Sequence, residues 1–145
     1  MERGKVMDDL TRVLLSGVAH SQRMSQHFAT ELLKEVRHGE PVYLTRAVDG
    51  ITLKQHFRTM GRQPEVSPES LREKADELFT ALDWLRGKGY FHADLTLENI
   101  MIDRSSGKLV LIDLESIQRL DAGTQEMSAN GLRELKELLA HHLGD

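Results

Sequence analysis

Three side chains that carry oxygen ligands stand at the borders of two short apolar runs. Asp94 and Asn99 precede the run 100–102, and Asp113 follows the run 109–112. The β-branched content of both runs favours strands, and the Ser-Ser-Gly between them indicates a turn. An antiparallel hairpin closed at that turn would bring Asn99 beside Asp113, with Asp94 one loop further out. Two carboxylates and an amide oxygen form a hard, all-oxygen set suited to Mg²⁺ and to the phosphates that it carries.

The order of these residues resembles the catalytic loop and metal-binding aspartate of the protein-kinase-like fold. The segment 92–95 reads His-Ala-Asp-Leu, Asn99 follows it, and 111–113 reads Leu-Ile-Asp. Thr96 stands where the common eukaryotic enzymes carry a lysine, and 114–115, Leu-Glu, where they carry Phe-Gly. The loop is more similar to that of the atypical RIO and Bud-type kinases, which read His-x-Asp-Leu-Ser/Thr. The acid two positions after the last aspartate resembles the aminoglycoside and lipopolysaccharide-sugar kinases.

The resemblance implies a fold class and a set of roles. The fold would be α+β, with a kinase-like C-terminal lobe that is mainly helical, a short catalytic-loop β-hairpin and a reduced N-terminal lobe. Asp94 would orient the acceptor hydroxyl and take its proton, while Asn99 and Asp113 would hold Mg²⁺ on the phosphates of ATP. His92 would brace the loop as a buried, neutral side chain. Glu115 would be either a second carboxylate at the metal or a solvated acid.

A possible adenine site precedes the loop. The segment 41–48 is strand-like, the Asp-Gly at 49–50 indicates a turn, and a short helical segment follows. This order resembles the hinge of a kinase, where main-chain groups hold adenine. Backbone from Arg46, Ala47 and Val48 would serve, because peptide N–H and C=O groups need no special side chain for this task. An ordinary edge strand and turn is the alternative.

The N-terminal segment is predicted from helical periodicity. Residues 1–38 are predicted as helix, with an apolar stripe that ends at Val36 and with Gly39 as the stop. In a kinase-like fold, Glu31 or Glu35 on this helix would pair with a phosphate-binding lysine. The alternative is that both are solvated charges on a helix face.

Two further helices are predicted on the C-terminal side. Segment 67–87 begins with a serine N-cap, a proline and an acid, and ends at glycine. Its apolar stripe comprises Leu71, Ala75, Leu78, Leu82 and Leu85. A last helix would begin at Ser128 or Asn130. The predicted organisation is a helical remnant of the N-terminal lobe at 1–40 and the hinge with the C-terminal lobe at 41–145, together one compact domain.

The composition narrows the function classes. The chain has 145 residues and a net charge of −4, which argues against non-specific nucleic-acid binding. It contains no cysteine, so neither a disulfide framework nor a thiolate metal site is available. No apolar run has the length of a signal peptide or a membrane helix. No membrane span is expected, and the cytoplasm is the expected compartment.

Three functions are compatible with the sequence. The first is an ATP- and Mg²⁺-dependent phosphotransferase that acts on a hydroxyl of a protein Ser/Thr or of a sugar. Because the chain has no Gly-x-Gly-x-x-Gly loop and no Val-Ala-x-Lys strand, the second is a pseudokinase-like interaction module that binds a protein partner. The third is one half of a split kinase, completed by a partner chain or by a homo-oligomer. A plain hairpin with surface acids is the structural alternative to all three.

Overall fold

The fold of the chain is described by a computed structural model over residues 33–37, 40–44, 48–59 and 67–144. In these ranges it is mixed α+β, with three α-helices and seven short strands in antiparallel pairs. The elements in order are β1 (Leu33–Arg37), β2 (Glu40–Leu44), β3 (Gly50–Thr52), α1 (Leu53–Arg58), α2 (Pro68–Gly87), β4 (Tyr90–His92), β5 (Ile100–Asp103), β6 (Leu109–Leu111), a 3₁₀ turn (Leu114–Ser116), β7 (Ile117–Arg119) and α3 (Gln125–Leu143). None of the helices in these ranges is long and apolar enough to cross a membrane.

The predicted hairpin is confirmed and forms two strands of a three-stranded sheet, in which β5 lies in the middle. Ile100 pairs with Leu111 and Ile102 with Leu109, and β3 adds to the other side of β5. A side chain at Gly50 would collide with this pairing, because a Cβ there would lie 1.8 Å from the Ile102 carbonyl oxygen. The turn predicted at the Asp-Gly dipeptide therefore leads directly into β3, which begins at Gly50.

The short helical segment predicted after the Asp-Gly at 49–50 forms as α1. It does not begin directly after the turn, because Ile51 and Thr52 complete β3 and the helix begins at Leu53. Thr52 decides the boundary through a capping box: its hydroxyl accepts from the Gln55 N–H, and the Gln55 side chain accepts from the Thr52 N–H. Thr52 is therefore both the last residue of β3 and the N-cap of α1, and no loop lies between the two elements.

Helix α2 forms where predicted and supplies one wall of the core. The Ser67 hydroxyl accepts from the Ser70 N–H at 3.2 Å, and Pro68 occupies the first helical position, where no N–H is needed. Gly89, with a φ of 94°, carries the chain out of the helix. The predicted apolar stripe is confirmed as buried: Leu71, Ala75, Leu78, Leu82 and Leu85, joined by Ala81. The helix packs against β4 and β6.

The chain after the hairpin returns to the strand that precedes the loop. The segment after the 3₁₀ turn forms β7, which pairs antiparallel with β4. Helix α3 then begins at Gln125, before the predicted Ser128 or Asn130. A hydrogen bond closes the loop that precedes α3, because the Asp121 N–H donates to the Thr124 hydroxyl at 2.9 Å. The apolar residues of α3 that join the core are Leu132, Leu135, Leu139 and Leu143.

The helical prediction for the N-terminal segment is wrong where the structure describes it. Leu33–Arg37 is a strand, paired antiparallel with Glu40–Leu44, and Glu35 stands opposite Val42. The four-residue spacing of apolar residues favoured a helix, but the pairing with β2 is a contact that periodicity does not contain. Glu35 is therefore a strand residue and not part of a helix. Glu31 and the rest of 1–32 lie outside the described residues.

Candidate functional site

The loop between β4 and β5 brings two of the predicted site residues into contact. The side-chain amide nitrogen of Asn99 donates to the Asp94 carbonyl oxygen and to its carboxylate Oδ2, both at 3.0 Å. The backbone of the loop closes on itself, because the Thr96 N–H donates to the Asp94 carbonyl and the Asn99 N–H to the Thr96 carbonyl. With its nitrogen turned to Asp94, Asn99 presents its amide oxygen as the end that a cation would meet.

Asp113 lies just beyond the last bond of the hairpin. The Ile112 N–H donates to the Asn99 carbonyl at 2.8 Å, so the chain at Asp113 leaves the sheet beside Asn99. Asp113 has a left-handed backbone, φ 57° and ψ 56°, and among the described residues other than glycine no other has a positive φ. This conformation is uncommon outside glycine and tends to persist where the surroundings enforce it. Here the buried Leu114 and the 3₁₀ turn follow directly and hold it.

His92 connects the loop to the hairpin from beneath. It is 3% exposed, its Nε2 donates to the Ile112 carbonyl at 3.0 Å, and its Nδ1 accepts from the Asp94 N–H at 3.1 Å. An acceptor nitrogen on one side and a donor on the other define a neutral tautomer. Burial lowers the pKa of His92, although main-chain groups of Ile112 and Asp113 and the charges of Asp113 and Asp94 oppose this shift. The buried, neutral brace predicted from the sequence agrees with these bonds.

The predicted hinge residues are described only in part. Arg46 and Ala47 lie outside the described residues. Val48 is half-buried and precedes Gly50, which pairs with Asp103 at the turn end of the hairpin. Because β5 is four residues long, Val48 and Asn99 stand at opposite ends of it, roughly 10 Å or more apart at ~3.4 Å per residue.

A groove that the sequence did not indicate borders the same loop. It has a volume of about 400 Å³ and lies between α1, the loop and the C-terminal end of α3. Its lining residues are Lys54, Phe57, Arg58, Thr96, Leu97, Glu98, Leu138 and His142. No sequence signal joins these segments, because residues far apart in the chain form the groove.

Two side-chain contacts shape the groove. Lys54 forms an ion pair with Glu98, and this hydrogen bond, with the nearby charge, lowers the pKa of Glu98. Phe57 stacks on His142, with ring centroids 4.3 Å apart and planes 7° from parallel. His142 is therefore half-buried, whereas the neighbouring His141 is exposed. A volume of several hundred Å³ with apolar walls and a few charged groups is typical of small-molecule sites.

The donor set at the open end of the hairpin fits Mg²⁺ better than a metal that needs a complete protein cage. In the described ranges, no group of three or more His, Cys, Asp or Glu side chains is placed to share a metal. Asn99 and Asp113 offer one amide oxygen and one exposed carboxylate. Mg²⁺ is usually held by one or two carboxylates, with waters and substrate phosphates completing its shell. The residues present therefore fit Mg²⁺ carried by a nucleotide.

Comparison with known proteins gives a partial similarity to a protein kinase. No protein-family model matches the chain. The chain is similar to CBL-interacting protein kinase 31 of Oryza sativa subsp. japonica, with 35% identity over 85 residues. The matched segment covers 59% of this chain, which spans only 17% of the length of that kinase.

Proposed function

We propose that this chain is an ATP- and Mg²⁺-dependent phosphotransferase of the atypical Ser/Thr kinase type, which transfers the γ-phosphate to a hydroxyl acceptor. The observation that carries the proposal is the arrangement at the open end of the hairpin. Asp94 contacts Asn99, and both are linked through His92 and the hairpin backbone to Asp113. The partial similarity to a protein kinase supports the same reaction class.

Asp94 is proposed as the residue that receives the acceptor. Its carboxylate is exposed, and Asn99 holds Oδ2. As the acceptor oxygen attacks the γ-phosphorus, its proton passes to this carboxylate, and the bond to the bridging oxygen of ADP breaks. A positioned general base contributes about 10²–10⁴-fold to such a reaction.

Asn99 and Asp113 are proposed to hold the metal. When bound, Mg²⁺ neutralises charge on the phosphates and orients them for in-line transfer. The protein orients both side chains. The bonds to Asp94 fix the orientation of the Asn99 amide, and the left-handed backbone at Asp113 sets the direction in which its side chain projects. Preorganised groups of this kind need no rearrangement at the moment of reaction.

The register of the sheet suggests a path for the nucleotide. With adenine held by main-chain groups of Arg46, Ala47 and Val48, the phosphates reach Asn99 and Asp113 only if the nucleotide lies along the β3–β5 pair. The acceptor is then proposed to approach over the groove, which shares the loop residues 96–98 with the site. Protein Ser/Thr and sugar hydroxyls both fit this scheme.

The test is a titration of Mg²⁺-ATP into the purified protein, followed by calorimetry and by thermal shift, with Mg²⁺ omitted in a parallel series. A ligand at a hundredfold its Kd stabilises a protein by about 2.7 kcal/mol, which moves the melting temperature by several degrees. Asp113→Asn should weaken the Mg²⁺-dependent shift. Asp83→Asn, which removes the same charge from the exposed face of α2, is the matched control and should behave as wild type.

The outcome without binding is equally informative. If millimolar Mg²⁺-ATP produces neither heat nor a thermal shift, the phosphotransferase proposal fails for this chain alone. The interaction module, or a half-site completed by a partner chain, would then be the better hypothesis.

A further inference from the structure

Ser116 joins the two acidic segments of the site through three hydrogen bonds. Its hydroxyl donates to Asp113 Oδ2 at 2.6 Å. Its N–H donates to the Asp113 carbonyl at 3.0 Å, and its own carbonyl accepts from the Ala93 N–H at 2.9 Å. The two backbone bonds would remain after any side-chain substitution, so the hydroxyl can be studied apart from the turn.

The hydroxyl bond restricts how Asp113 can present its carboxylate. Ser116 lies three residues after Asp113, at the end of the 3₁₀ turn, so the bond spans the turn and fixes the side-chain torsions of the acid. A carboxylate oxygen that accepts a hydroxyl hydrogen bond has one lone pair fewer for a metal, so Oδ1 is the oxygen that we expect to face a ligand. A hydrogen bond to a charged acceptor is also stronger than a neutral one, which keeps this orientation populated.

We propose that Ser116 is a positioning residue that makes Asp113 a one-oxygen metal ligand and thereby favours Mg²⁺ over Ca²⁺. The proposal rests on the proposed function, because it concerns the metal of the same site. Mg²⁺ requires near-ideal octahedral geometry at short distances, which single carboxylate oxygens satisfy. Ca²⁺ accepts six to eight ligands and readily takes both oxygens of a carboxylate. Occupying Oδ2 therefore disfavours the bidentate arrangement that Ca²⁺ can use.

The experiment compares two metals in three variants. A non-hydrolysable ATP analogue is titrated calorimetrically into the protein with Mg²⁺ or with Ca²⁺, for wild type, Ser116→Ala and Ser116→Thr. Loss of a group that orients a metal ligand typically costs 10–100-fold in metal affinity. Ser116→Ala should weaken Mg²⁺-dependent binding by about tenfold and Ca²⁺-dependent binding by less, so the Mg²⁺:Ca²⁺ affinity ratio narrows. Ser116→Thr keeps the hydroxyl, so its Mg²⁺:Ca²⁺ affinity ratio should equal that of the wild type.

The ratio distinguishes positioning from general damage to the fold. A destabilised protein loses affinity for both metal complexes together, whereas loss of positioning changes their ratio. Melting temperatures without metal establish that each variant is folded. If Ser116→Ala fails to fold, Ser116→Cys replaces it, since a thiol is nearly isosteric but a weak donor, and the same narrowing is expected.

The two proposals fail in different ways. A wild-type protein that binds no nucleotide with Mg²⁺ contradicts the proposed function. A wild-type protein that binds it, with an unchanged Mg²⁺:Ca²⁺ ratio in the folded alanine or cysteine variant, contradicts only the role of Ser116.

Discussion

The two ends of the β5–β6 hairpin both carry an acid, and they use it differently. At the turn end, Asp103 is 5% exposed, and its Oδ1 accepts from the Ser105 N–H at 3.0 Å and from the Ser105 hydroxyl at 2.9 Å. Both bonds span two residues, and Gly107, with a φ of 74°, completes the turn. This carboxylate closes its own loop, a common structural use of Asp in turns.

At the open end the acids are exposed, and two of the hydrogen bonds that hold the loop beside them span longer stretches of the chain. Asp94 is held by Asn99, five residues on, and His92 reaches Ile112 across twenty residues of sequence. A buried imidazole lies beneath Asp94 while the carboxylates themselves face solvent. Side chains that are oriented from behind and left open in front are what the proposed ligand site requires. The bonds of Asp103 close a turn, whereas those at the open end orient exposed carboxylates.

The largest expected effect separates the two ends by activity. Asp94→Asn keeps the size of the side chain but removes the proposed base, so phosphoryl transfer from radiolabelled Mg²⁺-ATP should fall by about 10²–10⁴-fold. Its melting temperature should change little, because the side chain is exposed. Asp103→Asn is the matched substitution at the turn end and should retain transfer at any temperature where it is folded. Activity that survives in Asp94→Asn would show that another group accepts the proton.

A smaller effect is expected at Asp113, the proposed metal ligand. Asp113→Asn should reduce the Mg²⁺-dependent affinity for nucleotide by at least about tenfold, equivalent to ~1.4 kcal/mol, because a neutral amide replaces a charged ligand. Binding measured in the absence of Mg²⁺ should be nearly unchanged. Calorimetry with both series checks this, and an equal loss in the two series would point to a structural role for Asp113.

The hairpin and α2 could be predicted because their signals are local. The Ser-Ser-Gly turn lies between two apolar runs, and the cap at Ser67 with the stripe from Leu71 to Leu85 defines the helix without reference to other segments. Closing the hairpin then placed Asn99 near Asp113 by geometry alone. The contact of Asn99 with Asp94 could not be predicted in this way, because it depends on the conformation of the loop between β4 and β5.

The parts that could not be predicted depend on contacts between distant segments. Strand β1 carries a helix-like spacing, and only its pairing with β2 makes it a strand. The ion pair of Lys54 with Glu98 joins residues 44 positions apart, and the stacking of Phe57 on His142 joins others further apart. Composition and periodicity contain neither contact. The support that Ser116 gives to Asp113 is local in sequence, but serine three residues after aspartate is too common a pattern to predict it.

Removal of a carboxylate is expected to lower stability at the turn end and to have little effect at the open end. Asp103→Ala removes the buried carboxylate that accepts from the Ser105 N–H and hydroxyl, so the free energy of unfolding should fall by about 1–2 kcal/mol. Chemical denaturation of Asp103→Ala and Asp94→Ala would compare the two ends directly. A larger loss in the exposed Asp94→Ala than in Asp103→Ala would contradict the division of the hairpin into a structural and a functional end.

The smallest expected effect concerns acid, and it should appear at the open end first. Because the pKa of His92 is lowered in the fold, the unfolded chain binds more protons in the window between the ordinary value of about 6.5 and the lower folded value. Stability that is present above this window is therefore lost as the pH falls through it, with a slope no steeper than about 1.4 kcal/mol per pH unit. His92→Gln, which has no titrating ring, should lose less over the same range.

Amide hydrogen exchange would locate this loss in the structure. A protonated imidazole carries a hydrogen on both nitrogens, so Nδ1 can no longer accept from the Asp94 N–H. The Ser105 N–H is bonded to a carboxylate of its own turn and not to an imidazole. As the pH falls below 6.5, protection of the Asp94 amide should decrease before that of Ser105, after correction for intrinsic exchange rates. If both amides lose protection together, the two ends unfold as one unit, and the neutral histidine does not hold the loop between β4 and β5 separately from the turn.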